Sequence, residues 1–276
     1  MSSNHLGDYL RARRDLVTPE DVGLPGGGRR RVPGLRREEL ALLAGISTDY
    51  YLRLEQGRDR NPSPPVLDAL ARVLRLDSDA TRHLHALAAP APRHQPQSSS
   101  DQDKLVPPGI QQLIMTSWAR TPALVLNRYM DVLAANRLAV ALSPAGQVGT
   151  NAIRAAFLDP RLRDLYVNWD EMAQRAVAGL RALIGPHGGD PRVVDLANGL
   201  SVKSESFRRL WARHDVSSRG TGLSEMNHPM VGRLELRHER LLLIGTDGQL
   251  LVVHHADPGT PSARKLSRLA DMAGVT

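Results

Sequence analysis

The chain has 276 residues, of which 41% are hydrophobic and 24% charged, and these proportions are typical of a globular protein with one or two domains. It contains no cysteine, which excludes disulfide bonds, thiolate metal sites and cysteine nucleophiles. The formal net charge of +7 favours a polyanionic partner such as nucleic acid, although codon bias is an alternative source of the arginine excess.

The N-terminal third of the chain has the pattern of a small helical domain. Apolar residues recur at helical spacing, which predicts five helices, at 4–16, 35–44, 48–57, 64–75 and 78–89. Between the first two helices, residues 17–34 are rich in glycine and proline and predict a long loop. The basic run Arg29–Arg31 in this loop can contact DNA or only increase solubility.

Residues 35–58 have the layout of a helix-turn-helix. Gly45 stands where the chain must turn, and glycine accepts the positive φ that such turns need. Ser47 can cap the following helix, and the small Ala41 lets the two helices approach closely. A crossing helix, a tight turn and a recognition helix whose N-terminal side chains reach base edges are the parts of this motif.

Residues 90–108 are rich in proline and serine and lack periodicity, which predicts a linker between a domain at 1–89 and a second domain at 109–276. The second domain is predicted to contain both helices and strands. Its predicted helices lie at 109–118, 136–142, 150–157, 160–185, 191–200, 204–214 and 261–273. Its predicted strands lie at 123–127, 130–134, 233–238, 240–245 and 249–255. Asp247-Gly248 is a strong hairpin signal before the last strand.

Several pieces of the chain, in order, resemble the lambda-repressor-like (Xre) helix-turn-helix family and, more closely, its MmyB-like subgroup. The N-terminal pieces are RRRVPGLRREELALLAG at 29–45, YYLRLEQGR at 50–58 and PSPPVLDALARVLRL at 62–76. The C-terminal pieces are DVLAANRLA at 131–139, NAIRAAFLDPRLRDLYVNW at 151–169, SFRRLWARHDV at 206–216 and HPMVGRLELRHERL at 228–241. The resemblance implies an N-terminal all-α helix-turn-helix domain and a C-terminal α+β PAS-like ligand-binding domain.

The resemblance also implies that the start of the recognition helix reads bases. Ser47 caps this helix, and Thr48, Asp49 and Arg53 follow on its exposed face. Arginine can fork onto guanine, and threonine can contact a thymine methyl group. Asp49 can accept a hydrogen bond from a cytosine amine, or it can only favour the positive end of the helix. For each of these side chains, exposure to solvent without a base contact is the alternative.

Three other arginines match positions that contact phosphates in the family, namely Arg36, Arg37 and Arg58. Phosphate contacts position a domain on the duplex and do not specify sequence. Glu55 matches a family glutamate that pairs with an arginine of the first helix, and Arg14 is the candidate partner.

The PAS-like resemblance implies a pocket for a small molecule, and fatty acid-like lipids are the suggested ligands. Seven polar or aromatic residues are candidates for its lining, namely Asn136, Arg154, Phe157, Tyr166, Trp169, Trp211 and His228. Arg154 can clamp a carboxylate, whereas plain core packing is the alternative for each residue. Ala135 stands where the family commonly has tryptophan in DVLAWN, so a pocket there gains space unless neighbours refill it.

Other chemistry finds no support in the sequence. His83 and His85 point to different helix faces, and His254 and His255 point to opposite strand faces, so neither pair predicts a metal site. No nucleophile elbow, Walker or dinucleotide motif is present, and we expect neither catalysis nor a cofactor. No segment has the pattern of a signal peptide or a membrane span, and we expect a cytoplasmic protein.

These patterns predict a sequence-specific transcriptional regulator that binds double-stranded DNA and whose operator affinity depends on a small ligand. We expect a homodimer, because one small module buries too little surface for tight specific binding. Two alternatives stay open. The second domain can be an enzyme tethered to DNA, which a cleft of titratable groups would favour. It can also bind a protein partner, as in an antitoxin, which a flat surface without a pocket would favour.

Overall fold

A computed structural model describes residues 4–25, 34–59, 61–89, 105–184, 191–217 and 221–275. The first part of the chain forms five helices around one core, as the sequence predicts. These helices are α1 His5–Leu16, α2 Arg37–Ala44, α3 Thr48–Glu55, α4 Pro64–Val73 and α5 Ser78–Ala88. The basic run Arg29–Arg31 and residues 90–104 of the predicted linker lie outside the described residues.

The second part of the chain packs helices on a five-stranded antiparallel sheet, which confirms the predicted α+β class. The sheet has the order β2-β1-β5-β4-β3. Its strands are β1 Ala123–Leu126, β2 Val132–Ala135, β3 Thr221–His228, β4 Gly232–Leu242 and β5 Leu250–His255. The helices are α6 Pro108–Gln112, α7 Arg137–Leu142, α8 Ala152–Leu158, α9 Pro160–Leu165, α10 Trp169–Ile184, α11 Pro191–Lys203, α12 Glu205–Ala212 and α13 Pro261–Met272.

Three predicted features of the second part are wrong. The helix predicted over 160–185 is interrupted after Leu165, because Tyr166 takes an extended backbone and forms an isolated β-bridge with Met226. The strands predicted at 233–238 and 240–245 are one continuous strand, β4. The sequence analysis also missed β3, whose polar sequence TGLSEMNH has no alternation of apolar residues. Pairing with β4 over eight residue pairs makes this segment a strand.

The two faces of the sheet pack against different layers. On one face, Val125 and Leu251 pack against Ile114, which follows α6. On the opposite face, Leu126 and Val252 belong to a cluster with residues of α8, α10, α11 and α12. Side chains alternate between the two faces along each strand. The face covered by α8, α10, α11 and α12 is called the inner face of the sheet.

A buried carboxylate joins three helices of the first part. Glu55, at the end of α3, is fully buried and accepts hydrogen bonds from Arg14 Nε on α1 at 2.7 Å and from Arg37 Nε on α2 at 2.6 Å. Arg14 also donates to the Leu35 carbonyl at 2.7 Å. The expected pairing of Glu55 with Arg14 is therefore confirmed. Burial opposes ionisation of Glu55, but the hydrogen bonds from both arginines outweigh it and hold its pKa below the ordinary value.

Replacing Glu55→Gln is expected to lower the free energy of unfolding of the N-terminal helices by about 3 kcal/mol, because buried Arg14 would lose its counter-charge. Native-state hydrogen exchange of α2 and α3 amides measures this loss. Because the folded-state pKa of Glu55 is depressed, its contribution is present above the ordinary glutamate pKa and is lost as the pH falls through the folded-state value.

Glu38→Gln is the matched control for this substitution. Its carboxylate is exposed and lies 3.7 Å from Arg36, so its loss should change the free energy of unfolding by less than about 1 kcal/mol. Equal effects of the two substitutions would contradict a structural role for the buried carboxylate.

Candidate functional site

Helices α2 and α3 form the helix-turn-helix. Gly45 ends α2 with a φ of +69°, and its backbone N–H donates to carbonyls of the last turn. Ser47 caps α3, because its hydroxyl accepts the Tyr50 backbone N–H at 3.2 Å. Tyr51 and Leu54 are fully buried in the core of the helical domain. The opposite face of α3 is left open to solvent.

The residues expected to read bases lie on this open face, where Ser47, Thr48, Asp49 and Arg53 are all exposed. Arg53 forms an ion pair with Asp49 one helical turn earlier, and its guanidinium lies 5.6 Å from the centre of the Tyr50 ring. These contacts order Arg53 along the helix. An exposed pair of this kind contributes at most about 1 kcal/mol, so a guanine edge can compete for the arginine.

The arginines expected to contact phosphate differ in how they are held. Arg36 and Arg58 are exposed, and the Arg36 guanidinium lies 3.7 Å from the Glu38 carboxylate. Arg37 donates its Nε to Glu55, yet its side chain remains 43% exposed. The structure thus places all three on the surface around α2 and α3, and Arg37 has a structural role as well.

The second part of the chain contains a cavity between the inner face of the sheet and helices α7 to α10. Its volume is about 980 Å³ when the space that opens to solvent is included. Most of its wall is apolar and includes Leu126, Met130, Ile153, Leu162 and Met226. A concave, mostly apolar cavity is typical of a small-molecule site.

One end of the cavity is polar. Ser224, His238, Arg240 and His254 line it from β3, β4 and β5, and Arg175 lines it from α10. His238 and His254 are cross-strand partners, and Ser224 Oγ lies 3.2 Å from His238 Nδ1. Burial and the cations of Arg240 and Arg175 lower the pKa of His238 to about 4. Burial, followed by His238 and Arg240, lowers the pKa of His254 to about 3, so both rings are neutral at physiological pH.

Arg240 is the principal charge at this end. Among the residues that the structure describes, none forms a hydrogen bond or an ion pair with its guanidinium. Its Nη1 lies so close to α10 at Gly179 that a Cβ there would be only 2.9 Å away. Burial lowers the pKa of Arg240, the Tyr166 hydroxyl opposes this effect, and Arg175 adds to it. A partly buried cation without an ion-pair partner is costly, and an anionic group in the cavity would offset that cost.

Of the seven residues expected to line the pocket, Tyr166 is the one that borders this cavity. The break between α9 and α10 places it there. Phe157, Trp169 and Trp211 form an aromatic cluster with Phe207 instead, with ring centres 5.1 to 5.6 Å apart along the series. This cluster belongs to the core beside the cavity.

The other expected contacts have structural roles or lie on the surface. Asn136 caps α7, and its amide donates to three backbone carbonyls, those of Ile114, Trp118 and Thr121. His228 Nε2 lies 2.9 Å from the Ala141 carbonyl oxygen. Arg154 is exposed on α8 and does not line the cavity. Ala135 is buried in a core cluster and does not line the cavity. The absence of the family's tryptophan at this position therefore does not enlarge this cavity.

The sequence analysis missed the polar end of the cavity. The signal was present in β4, where Leu234, Leu236, His238 and Arg240 alternate with polar residues and therefore share one face. Dividing β4 into two predicted strands between 238 and 240 concealed this shared face. An apolar alternation that ends in a histidine and an arginine indicates a strand that borders a cavity with a cationic end.

In the part of the chain that the structure describes, no group of three or more histidine, aspartate or glutamate side chains could hold a metal ion. None of the described helices combines the length and the apolar character that crossing a membrane requires.

Comparison with known families agrees with this geometry. Residues 5–84, which contain α2 and α3, match the model of a helix-turn-helix domain. Residues 106–269, more than half of the chain and all of the cavity lining, match the model described as MmyB-like transcription regulator ligand binding domain. No curated protein matches the chain. The chain therefore belongs to the MmyB-like transcription regulators, in which a DNA-binding helix-turn-helix domain is joined to a ligand-binding domain.

Proposed function

We propose that the protein binds operator DNA as a homodimer through α3, and that an amphiphile with one anionic head group and an apolar chain controls this binding from the cavity. The observation that carries the ligand proposal is Arg240, a partly buried cation without a hydrogen-bond or ion-pair partner among the described residues, at the polar end of a mostly apolar cavity. A fatty acid has this chemistry.

The exposed face of α3 supports the DNA-binding part of the proposal. Thr48, Asp49 and Arg53 are positioned to reach base edges, while Arg36 and Arg58 flank them as phosphate contacts. A single domain of this size buries too little surface for tight specific binding, and two copies on half-sites about 34 Å apart would supply the remainder.

The two ends of the cavity support the ligand part of the proposal. The apolar wall would bury an acyl chain, and the planar guanidinium of Arg240 would bind a carboxylate in a bidentate manner. The neutral rings of His238 and His254 add hydrogen-bonding groups without adding charge. Bound ligand can shift operator affinity only by the difference between its affinities for two arrangements of the protein.

The operator can be found by selection from a pool of random duplexes with the full chain. Arg53→Ala is then expected to relax the preference at one base pair at a cost of about 1–3 kcal/mol, because a bidentate contact to guanine is lost. Titration of single-base operator variants by fluorescence anisotropy measures this change. An unchanged ranking of the variants would contradict the role of α3 as the recognition helix.

Two matched variants separate base reading from general charge. Arg161→Ala removes an exposed arginine of the second domain and should leave operator binding unchanged. Arg58→Ala should weaken binding to all duplexes alike and reduce the salt dependence by about one phosphate contact. If Arg58→Ala altered the ranking of sequences instead, its assignment to the phosphates would be wrong.

Arg240→Met tests the head-group site with two probes of equal chain length, dodecanoate and dodecanol. The substitution should weaken dodecanoate binding by about 2 kcal/mol, roughly thirtyfold, because a charge-assisted contact is lost. Dodecanol binding should change little. Isothermal titration calorimetry on the full chain measures both affinities.

Arg163→Met is the control, because Arg163 stacks 4.6 Å from the centre of the Trp169 ring and does not line the cavity. It should leave the binding of both probes unchanged. Equal losses of dodecanoate binding in the two variants would point to the net charge of the domain and not to the site at Arg240.

A further inference from the structure

The two domains touch where α1 meets the segment that follows α12. Arg13 Nη1 donates to Asp215 Oδ1 at 2.5 Å, and the two side chains are only 18% and 16% exposed. The ring of Tyr9 lies edge-on to the ring of His214, with centres 6.3 Å apart. Val216 packs against the core of the N-terminal helices. Three consecutive residues of the second domain thus form the docking point for α1.

Helix α10 holds this docking segment in place. The Arg181 guanidinium lies 3.9 Å from the centre of the Trp211 ring and donates to the Trp211 carbonyl at 2.6 Å. Its Nη1 lies 3.3 Å from Nδ1 of His214, a residue with a φ of +54°, which is uncommon outside glycine. Burial and the Arg181 cation lower the pKa of His214 to about 4, so the neutral ring can accept this hydrogen bond.

The polar end of the ligand cavity shares three lining residues with the cleft beside this docking point. Arg13 and Asp215 line the cleft, and so do Arg175, His238 and Arg240, which also line the cavity. The cleft has a volume of about 1330 Å³ when its opening to solvent is included. A head group bound at Arg240 would therefore face the same cleft as the contact between the domains.

The docking point has more positive than negative charge. Asp215 lies between Arg13 and Arg213, whose Nε is 2.9 Å from Asp215 Oδ2. Its remaining contact is weak, a hydrogen bond from Gln174 at 3.4 Å. The Nε atoms of Arg13 and Arg181 are buried and have no hydrogen-bond partner among the described residues. The cleft itself is lined by four arginines, Arg13, Arg75, Arg175 and Arg240, against three carboxylates, Asp77, Glu171 and Asp215, so a further anion there would still meet an excess of positive charge.

We infer that the contact between Arg13 and Asp215 is a latch that fixes the DNA-binding domain on the ligand domain, and that the anionic head group of the ligand opens it. This inference rests on the proposed function of the cavity. The head group competes with Asp215 for the Arg13 cation and repels the Asp215 carboxylate across the shared cleft. Opening the latch frees α3 to change its position relative to the ligand domain, and so alters the spacing of two recognition helices in a dimer.

The absence of cysteine from the sequence allows a direct measurement of the latch. Spin labels on Glu20→Cys and Lys203→Cys, both exposed positions, report the distance between the domains by double electron–electron resonance. Asp215→Asn and Arg13→Gln should each broaden the distance distribution without ligand. Dodecanoate should broaden it in the otherwise unmodified chain and add little in Asp215→Asn, whereas dodecanol should have no effect.

Binding measurements supply an independent readout that a merely structural contact would not move. In Asp215→Asn, the ratio of operator Kd values with and without dodecanoate should fall to within about twofold of unity, because the coupling is lost. The same variant should bind dodecanoate about threefold or more tightly, since the ligand no longer has to open the latch.

Asp257→Asn is the matched control, because it removes a carboxylate 2.8 Å from Arg237 on a surface outside the cavity and the cleft. It should preserve the distance distribution and the response to dodecanoate. An unmodified chain that responds to dodecanoate together with an equally responsive Asp215→Asn would overturn the latch alone. An unmodified chain that does not bind dodecanoate would overturn the proposed ligand and its release of the latch together.

Discussion

A partly buried guanidinium that has no ion-pair partner among the described residues is the constraint on which the proposed function of the second domain depends. Glu55 and Arg240 differ in whether partners of opposite charge compensate for their burial. Glu55 is bonded by two arginines, and this satisfied network fixes the helical domain. Burial of the Arg240 guanidinium is also costly, but no ion pair with a described residue offsets this cost, and the group lies at the polar end of a mostly apolar cavity. A satisfied network stabilises a fold, whereas an unsatisfied charge in a cavity favours a ligand of opposite sign.

A series of ring, cation–π and hydrogen-bond contacts connects the core beside the cavity to the DNA-binding domain. The series begins at Trp169 and Phe157 beside the cavity and passes through Phe207 to Trp211. Arg181, stacked on the Trp211 ring, extends the series to His214, and the His214 ring lies edge-on to the ring of Tyr9 on α1. Packed interiors transmit displacement because they have little free volume. Helix α10 takes part in both the cavity wall and this series, so it is the element through which a bound ligand can act.

The sequence was sufficient for features that depend on local chemistry and short-range periodicity. The five N-terminal helices, the turn at Gly45 and the cap at Ser47 follow from such signals, whereas the pairing of Glu55 with Arg14 was expected only from the family resemblance. The ligand site did not follow, because it is assembled from strands that are distant in sequence. Strand β3 forms only through its pairing with β4, and the shared face of His238 and Arg240 is visible only when β4 is one strand. Of the aromatic residues expected in the cavity, Tyr166 lines it, whereas Phe157, Trp169 and Trp211 pack against Phe207 or each other in the core.

The proposed homodimer would set how strongly a modest latch can act on the operator. A coupling free energy of about 1–3 kcal/mol is ordinary for two linked sites, and each 1.4 kcal/mol corresponds to about a tenfold change in affinity. A homodimer would contain two copies of the Arg13 and Asp215 contact, and both would act on the same bound duplex. Independent contributions add as free energies, so their factors multiply. A partly exposed ion pair whose opening changes affinity about tenfold per subunit would thus give about a hundredfold response at the operator, with no stronger contact required.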